Sequence, residues 1–411
     1  MTTKNLSSKS IAIVVDQRIL AGGGFNQAIQ YCHDLSRAAQ DQGIQVLIFT
    51  LHKESYHSLQ TVGLSSRIIR LTVLDKLYMW FLTLLKDLFL PSSILRFFPL
   101  SKLEVVILRQ GAPLVLFASP SWFPLSFFKT SFISCIWDIC HRDHPEFPEV
   151  SHYGELERRE YILHRIAASA IALVTDSLHL KTRFSSFYSI DPDRVSVSYF
   201  GKPPLSYPEI SERAVDTAHH IPHLPSEYLY YPAQFWPHKN HTLLLRALAF
   251  LNSQRTSSIH LVLTGSDYGN LRHIKAQISH LTLNACVHLL GFVEKDLVDY
   301  LYANCSALVM PSYFGPTNLP PIEAANYRKP LVLPISPGYI ELFGRYPFYY
   351  EQGNLFSLAK AIQSVYDQPE ESLERGLNAS DHLATIYSSA PSVLSHINSF
   401  FVKSDNWHLP S

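Results

Sequence analysis

The chain has 411 residues, 47% of them hydrophobic and 12% aromatic, with 34 basic residues against 34 acidic ones. A single core rarely grows past ~250 residues, so this length suits two domains, and the apolar content excludes a disordered chain. Zero net charge supplies no field for wrapping nucleic acid, which is not expected as a partner.

The polar run MTTKNLSSKS leads straight into IAIVVD with no signal-peptide pattern, so a cytoplasmic setting is expected. A strand over Ile11–Asp16, a glycine loop at Gly22, Gly23 and Gly24, a helix from Phe25 to about Gln42 and a strand over Val46–Phe49 give a βαβ unit of a parallel sheet. Three glycines let backbone approach a ligand closely or take positive φ. The loop is not a full G-x-G-x-x-G, and a merely tight turn would read the same.

Leu77–Leu90 (LYMWFLTLLKDLFL) falls short of the ~20 apolar residues a membrane-spanning helix needs, and Lys86-Asp87 interrupts it. As a helix it would carry a narrow polar stripe of Lys76, Thr83 and Asp87 beside a broad apolar face. Burial in the core is the first reading, and peripheral contact with a membrane surface is the second. Further strands are expected at Val105–Leu108, Leu114–Ala118, Phe132–Trp137 and Ala172–Thr175, with a long helix over Glu155–Ala170.

Gly201–Pro225, rich in Pro, Ser and His, reads as a linker. Apolar strands then alternate with helical patterns through YLYYPA, HLVLTG, VHLLG, ALVMP and PLVLP, the mark of a parallel sheet covered on both faces. The expected fold is α/β, with Rossmann-like domains over 1–200 and 226–369, a linker over 201–225 and C-terminal helices over 370–411 that cross back to the first domain. The five cysteines, mostly inside apolar runs, are read as buried thiols in a reducing compartment. Cys135 and Cys140 lack a second pair at metal-ligand spacing, so no metal is expected.

Ligands of open parallel sheets sit beyond the carboxyl ends of the strands. PSYFGPTNLPPIEAANYRKP (Pro311–Pro330) follows such an end, and Pro320-Pro321 open a helix there. Free N–H groups and the helix dipole make an anion site. Glu323 is placed on the first turn, within reach of a ribose diol. A plain helix start with a capping glutamate has the same sequence. Lys239, in the loop PAQFWPHKN before the next helix, can meet phosphate as a point charge. A solvated surface lysine is the alternative.

In consecutive order, PAQFWPHKN, LVLTGS, Gly291-Phe292-Val293, ALVMPSYFGPTNLPPIEA and KPLVLP resemble glycosyltransferase family 4, whose members are retaining, nucleotide-sugar dependent and built on the GT-B fold. The resemblance is weaker in the first half, where it rests on the glycine loop and on WDICHRDHPE around His141. It implies two doubly wound domains facing across a cleft and no metal or cofactor. The implied partners are a nucleotide-diphosphate sugar and a glycan or lipid-linked acceptor, as in polysaccharide biosynthesis. Lys239 would bind the diphosphate, Glu323 the ribose, and Phe292 and Val293 the base. Thr317, Asn318 and Leu319 would approach sugar and diphosphate, Gly265 would line the donor side, and His141 would touch the transferring sugar. From position alone His141 also reads as an idle loop residue or as a base beside Asp138 or Asp143.

Two positions depart from the pattern. Gly315, eight before Glu323, stands where the family carries its first glutamate, and Gln234, five before Lys239, stands in place of its arginine. One change removes an acceptor for sugar hydroxyls and the other a permanent positive charge. The chief rival reading is a non-catalytic GT-B subunit that binds a partner enzyme or glycan, beside another GT-B enzyme such as an epimerase or phosphorylase and a Rossmann oxidoreductase using the glycine loop.

Overall fold

The computed structural model describes residues 9–18, 23–88, 90–199, 224–315, 317–389 and 393–405, with single positions at 211, 215, 218 and 221. Gly22 and most of the linker lie outside the described residues. One compact unit comprises the described residues of Met1–Trp137, Gly154–Tyr199 and Pro391–Ser411, and the other those of Asp138–Tyr153 and Phe200–Ala390. The segment Asp138–Tyr153, inside the stretch expected as the first domain, belongs to the second unit.

Strands of the first unit are β1 (Ser10–Val15), β2 (Gln45–Thr50), β3 (Ser66–Ile68), β4 (Leu114–Phe117), β5 (Ser131–Ile136), β6 (Ala172–Thr175) and β7 (Val195–Val197). They pair in parallel in the order β3-β2-β1-β4-β5-β6-β7. Every residue of β1 is buried, as a central strand covered on both faces requires. Each Val or Ile so buried contributes ~1.5–3 kcal/mol. Ala28, Tyr31, Cys32, Leu35 and Ala39 of helix Gly23–Gln40 pack on this sheet, as do Leu394, Ile397 and Phe401 of helix Leu394–Ser404. Gly23 and Gly24 already lie in the helix rather than in a loop before it. A Cβ on Gly24 would stand 2.6 Å from the Trp137 ring, so that residue serves close packing.

Val105–Leu108, expected as a strand, is helical within Lys102–Arg109. Ser101 caps that helix by accepting from the Glu104 N–H at 3.3 Å, and Leu103 and Ile107 share its buried face. Capping and 3.6-residue periodicity override β-branched propensity here.

Helix Val73–Asp87 corrects a second expectation, since it is not a buried core helix. Its buried residues are Met79, Leu82, Thr83 and Leu85, while Val73, Leu74, Leu77, Phe81 and Leu84 are exposed. Thr83, placed in the narrow polar stripe, is fully buried and donates to the Met79 carbonyl at 3.0 Å. No helix among the described residues is long and apolar enough to cross a membrane.

The second unit holds β8 (Leu229–Pro232), β9 (Leu261–Thr264), β10 (Val287–Gly291), β11 (Ala307–Val309), β12 (Leu331–Pro334) and β13 (Phe348–Tyr350). They are parallel in the order β10-β9-β8-β11-β12-β13. Both units are therefore doubly wound, as expected, and strand order reverses at β1/β4 in one and at β8/β11 in the other. All five cysteines are free and buried.

Candidate functional site

The β8/β11 reversal brings together the loops that carry the residues singled out in the second half. The β8 loop ends in a 3₁₀ turn, Pro237–Lys239, and Asn240 at φ 52° then opens helix His241–Asn252. Asn tolerates this left-handed conformation better than most residues. The Tyr231 hydroxyl donates to the Lys239 carbonyl at 2.9 Å, which fixes the turn.

Lys239 Nζ donates to Asn318 Oδ1 at 3.2 Å, across 79 residues of sequence. Burial pulls its ammonium down to about 8, against the opposing pull of Cys140, Asp138 and Glu149. One of its three donors has a partner among the described residues.

Asn318 ties the β11 loop together. Its Nδ2 lies 3.0 Å from the Phe314 carbonyl, 3.3 Å from the Gly315 carbonyl and 2.8 Å from the Tyr339 hydroxyl. Its backbone is extended at the N-terminus of helix Leu319–Asn326. That helix begins at Leu319, so Pro320 and Pro321 occupy its second and third positions. Prolines carry no N–H, and Leu319 supplies the first-turn donor that remains. Thr317 is buried beside it.

Glu323 is therefore past the first turn, which holds no acidic residue. It is partly buried, and the Tyr302 hydroxyl donates to its Oε2 at 2.7 Å. Tyr302 is locked by stacking on Tyr327 at 5.9 Å and by an edge contact with Tyr230 at 5.0 Å. Burial raises the Glu323 carboxyl above its usual range, and the Tyr302 bond lowers it. Its other oxygen has no hydrogen bond among the described residues.

Gly315 has φ 95°, and a Cβ there would stand 2.4 Å from Asn318 Nδ2 and 2.9 Å from the Thr317 carbonyl oxygen. A larger side chain is excluded both by backbone conformation and by space. The Gly315 N–H donates to Cys140 Sγ at 3.3 Å. His141, next in sequence, is 1% exposed in the short helix Cys140–Asp143 rather than in an open loop.

The same segment supplies contacts that sequence reasoning missed. Phe314 stacks on His238 at 4.2 Å and on His144 at 5.8 Å, with Phe147 edge-on at 5.2 Å. Glu149 Oε1 accepts the His238 N–H at 3.1 Å and pairs with its ring Nδ1. Nothing in local spacing signals a partner 89 residues away; the aromatic richness of HPEF and SYF was the one available hint.

Gly265, just past β9, closes the other side. A Cβ there would meet the Ala233 carbonyl oxygen at 2.2 Å, and its N–H donates to the Gly291 carbonyl at 2.8 Å. Gln234 accepts from Trp236 Nε1 at 3.1 Å. Phe292 is 61% exposed in the loop after β10, followed by the partly exposed Val293.

Residues 218–381, carrying all of these loops except Asp138–Tyr153, match the family model described as glycosyl transferases group 1. Over the whole chain the likeness is one of fold. Anabaena HepE, solved with UDP and glucose, gives a TM-score of 0.68 at 16% identity, covering 97% of this chain and 100% of that one. A glycosyltransferase from Rickettsia africae gives 0.67 at 13% identity, over 97% and 98%. In sequence, the O-antigen chain mannosyltransferase RfbU of Salmonella typhimurium is 23% identical over 199 residues, 48% of this chain and 52% of that protein. The chain thus spans about half the length of the curated relative it matches.

Proposed function

We propose that the chain is a glycosyltransferase that moves a sugar from a nucleotide-diphosphate donor to a glycan or lipid-linked acceptor with retention of configuration, as in family 4. The carrying observation is Lys239: a desolvated cation, tied to Asn318 at the N-terminus of helix Leu319–Asn326, at the strand-order reversal of a doubly wound sheet. The group 1 match over this half supports the reading, as do the UDP and UDP-glucose complexes of HepE and the mannosyltransferase activity in RfbU's name.

As the sugar–phosphate bond lengthens, negative charge grows on the departing diphosphate. Lys239 and the Leu319 N–H face that charge where water is scarce, so their stabilisation counts for more than in bulk solvent. Glu323, held by Tyr302, takes the ribose hydroxyls through its open oxygen. Phe292 and Val293 border the base. His141 contacts the sugar, and Cys140 beside it touches the Gly315 loop. In this reading the acceptor hydroxyl attacks from the face the diphosphate leaves, and a phosphate oxygen takes its proton; neither metal nor cofactor is required. Gly23 and Gly24 border the acceptor or the donor phosphate.

A non-catalytic sugar-binding or partner-binding subunit is favoured by one feature, the absence of room for a carboxylate at Gly315. A melting-temperature screen against UDP, GDP, ADP, CMP and dTDP and their sugars separates the two. A nucleotide at 100 times its Kd adds about 2.7 kcal/mol of stability. The enzyme reading expects such a shift in wild type, its loss in Lys239→Ala and a roughly tenfold weaker response in Glu323→Gln. No shift with any nucleotide overturns it in favour of the subunit.

A further inference from the structure

Helix Val73–Asp87 buries Met79, Leu82 and Leu85, turns a second apolar side outward and is held that way. Thr72 and Asp75 form a reciprocal capping box at its start. At its end Asp87 pairs with Arg165 at 2.7 Å and accepts from the Tyr161 hydroxyl, while Lys86 donates to the Phe127 carbonyl. Trp80 lies edge-on to Trp122 at 5.6 Å and to Tyr161 at 6.0 Å. These contacts fix the roll of the helix, so its outer leucines cannot turn inward without breaking two charged groups away from their partners.

What remains outside is a stripe at a spacing of three and four: Leu74, Leu77, Phe81, Leu84 and Leu88, with Leu74 at 76% exposure. The next segment extends it. Phe98 packs on Phe81 at 5.9 Å and the Tyr78 hydroxyl donates to the Pro99 carbonyl at 2.7 Å, while Phe97 stands 86% exposed beside them. Monomeric proteins rarely leave so continuous an apolar surface without a use for it.

The charges around the stripe select the partner. In a chain of zero net charge, residues 67–102 carry six basic side chains and two acidic ones. Both acids are engaged, Asp75 with Thr72 and Lys102 and Asp87 with Arg165. Arg70, Lys76 and Arg96 are exposed. A locked helix with Leu, Phe and Trp on its outer side and arginine and lysine along its flanks has the chemistry of an interfacial anchor. We propose that this face docks on an anionic lipid bilayer and lies in the headgroup region.

Co-sedimentation with vesicles of phosphatidylcholine alone, and of phosphatidylcholine with about a third phosphatidylglycerol, tests this. Wild type is expected to partition onto the anionic vesicles and to leave them at high salt. Leu74→Ser with Leu77→Ser should weaken partitioning at least about tenfold, and neutralising Arg70, Lys76 and Arg96 with serine about a hundredfold. The substituted side chains are exposed, so melting temperature and nucleotide-induced shift should match wild type; the lipid and donor readings thus fail separately. Equal affinity for neutral and anionic vesicles, or unchanged binding by the leucine variant, overturns the proposal. So does a concentration-dependent dimer that the leucine variant breaks, because the face would then belong to a second copy.

Discussion

The two sheets reverse strand order at equivalent places, and the side chains standing there are of opposite character. Beyond β1 and β4 the first unit presents Asp16, to which the Ser119 hydroxyl donates. Burial raises the Asp16 carboxyl above its usual range, partly offset by hydrogen bonds from Ser119 and Ser121. Beyond β8 and β11 the second unit presents Lys239 and Asn318. Topology gives each sheet a place for a ligand, and charge decides which ligand enters. On the proposed function, a diphosphate would be attracted by Lys239 and repelled by an ionised Asp16.

The largest expected effect breaks or sustains that contrast directly. Lys239→Met should weaken nucleotide binding about a hundredfold, a loss of about 2.7 kcal/mol, yet raise the melting temperature of the free protein at pH 7 by removing a desolvated charge. Asp16→Asn should leave the nucleotide-induced shift as it is. A reversed pattern in the same melting assay would move the diphosphate to the first unit. Next in size, Gly315→Ala should cost about 2 kcal/mol in urea unfolding, because alanine must adopt φ 95° against Asn318. If alanine is accommodated without loss, the β11 loop is less rigid than its contacts imply.

The last effect is in pH, and the two groups run in opposite senses. Lys239 in the fold releases its proton near pH 8, against 10.5 when unfolded. Nucleotide affinity should therefore fall about tenfold per pH unit above that point, while stability rises between about 8 and 10.5 because the unfolded chain binds the proton more tightly. Asp16 does the reverse: its contribution is greatest in acid and declines as pH climbs from 3.8 through its elevated pKa. Calorimetric titrations and melting curves of wild type, Lys239→Met and Asp16→Asn separate the two profiles.

Much of this was legible in the order of residues. Continuous apolar runs such as 11–15 and 261–263 announce themselves, because burial on both faces leaves no alternation to misread. Of the four three-residue strands, β3, β7 and β13 did not, since so few residues carry no period, while β11 showed through its apolar flank ALVMP. Val105–Leu108 misled for a related reason: four β-branched or aliphatic residues outvote a cap whose serine lies before them. At the site, Lys239, Asn318 and Glu323 stood out because chain order places them after strands. The approach of Glu149 to His238, and of His144 and Phe147 to Phe314, joins segments that share no periodicity. Only packing reveals it.

The placement of Asp138–Tyr153 has a practical consequence for dissecting the molecule. The chain passes between the two units four times, near 137, 153, 199 and 390, so no single cut yields two complete halves. A fragment trimmed to the matched span, 218–381, would leave behind Glu149, the carboxylate partner of His238, and the His144 and Phe147 rings that cover Phe314. Moving the C-terminal sheet as a unit therefore needs a discontinuous graft, in which this sixteen-residue stretch travels with it.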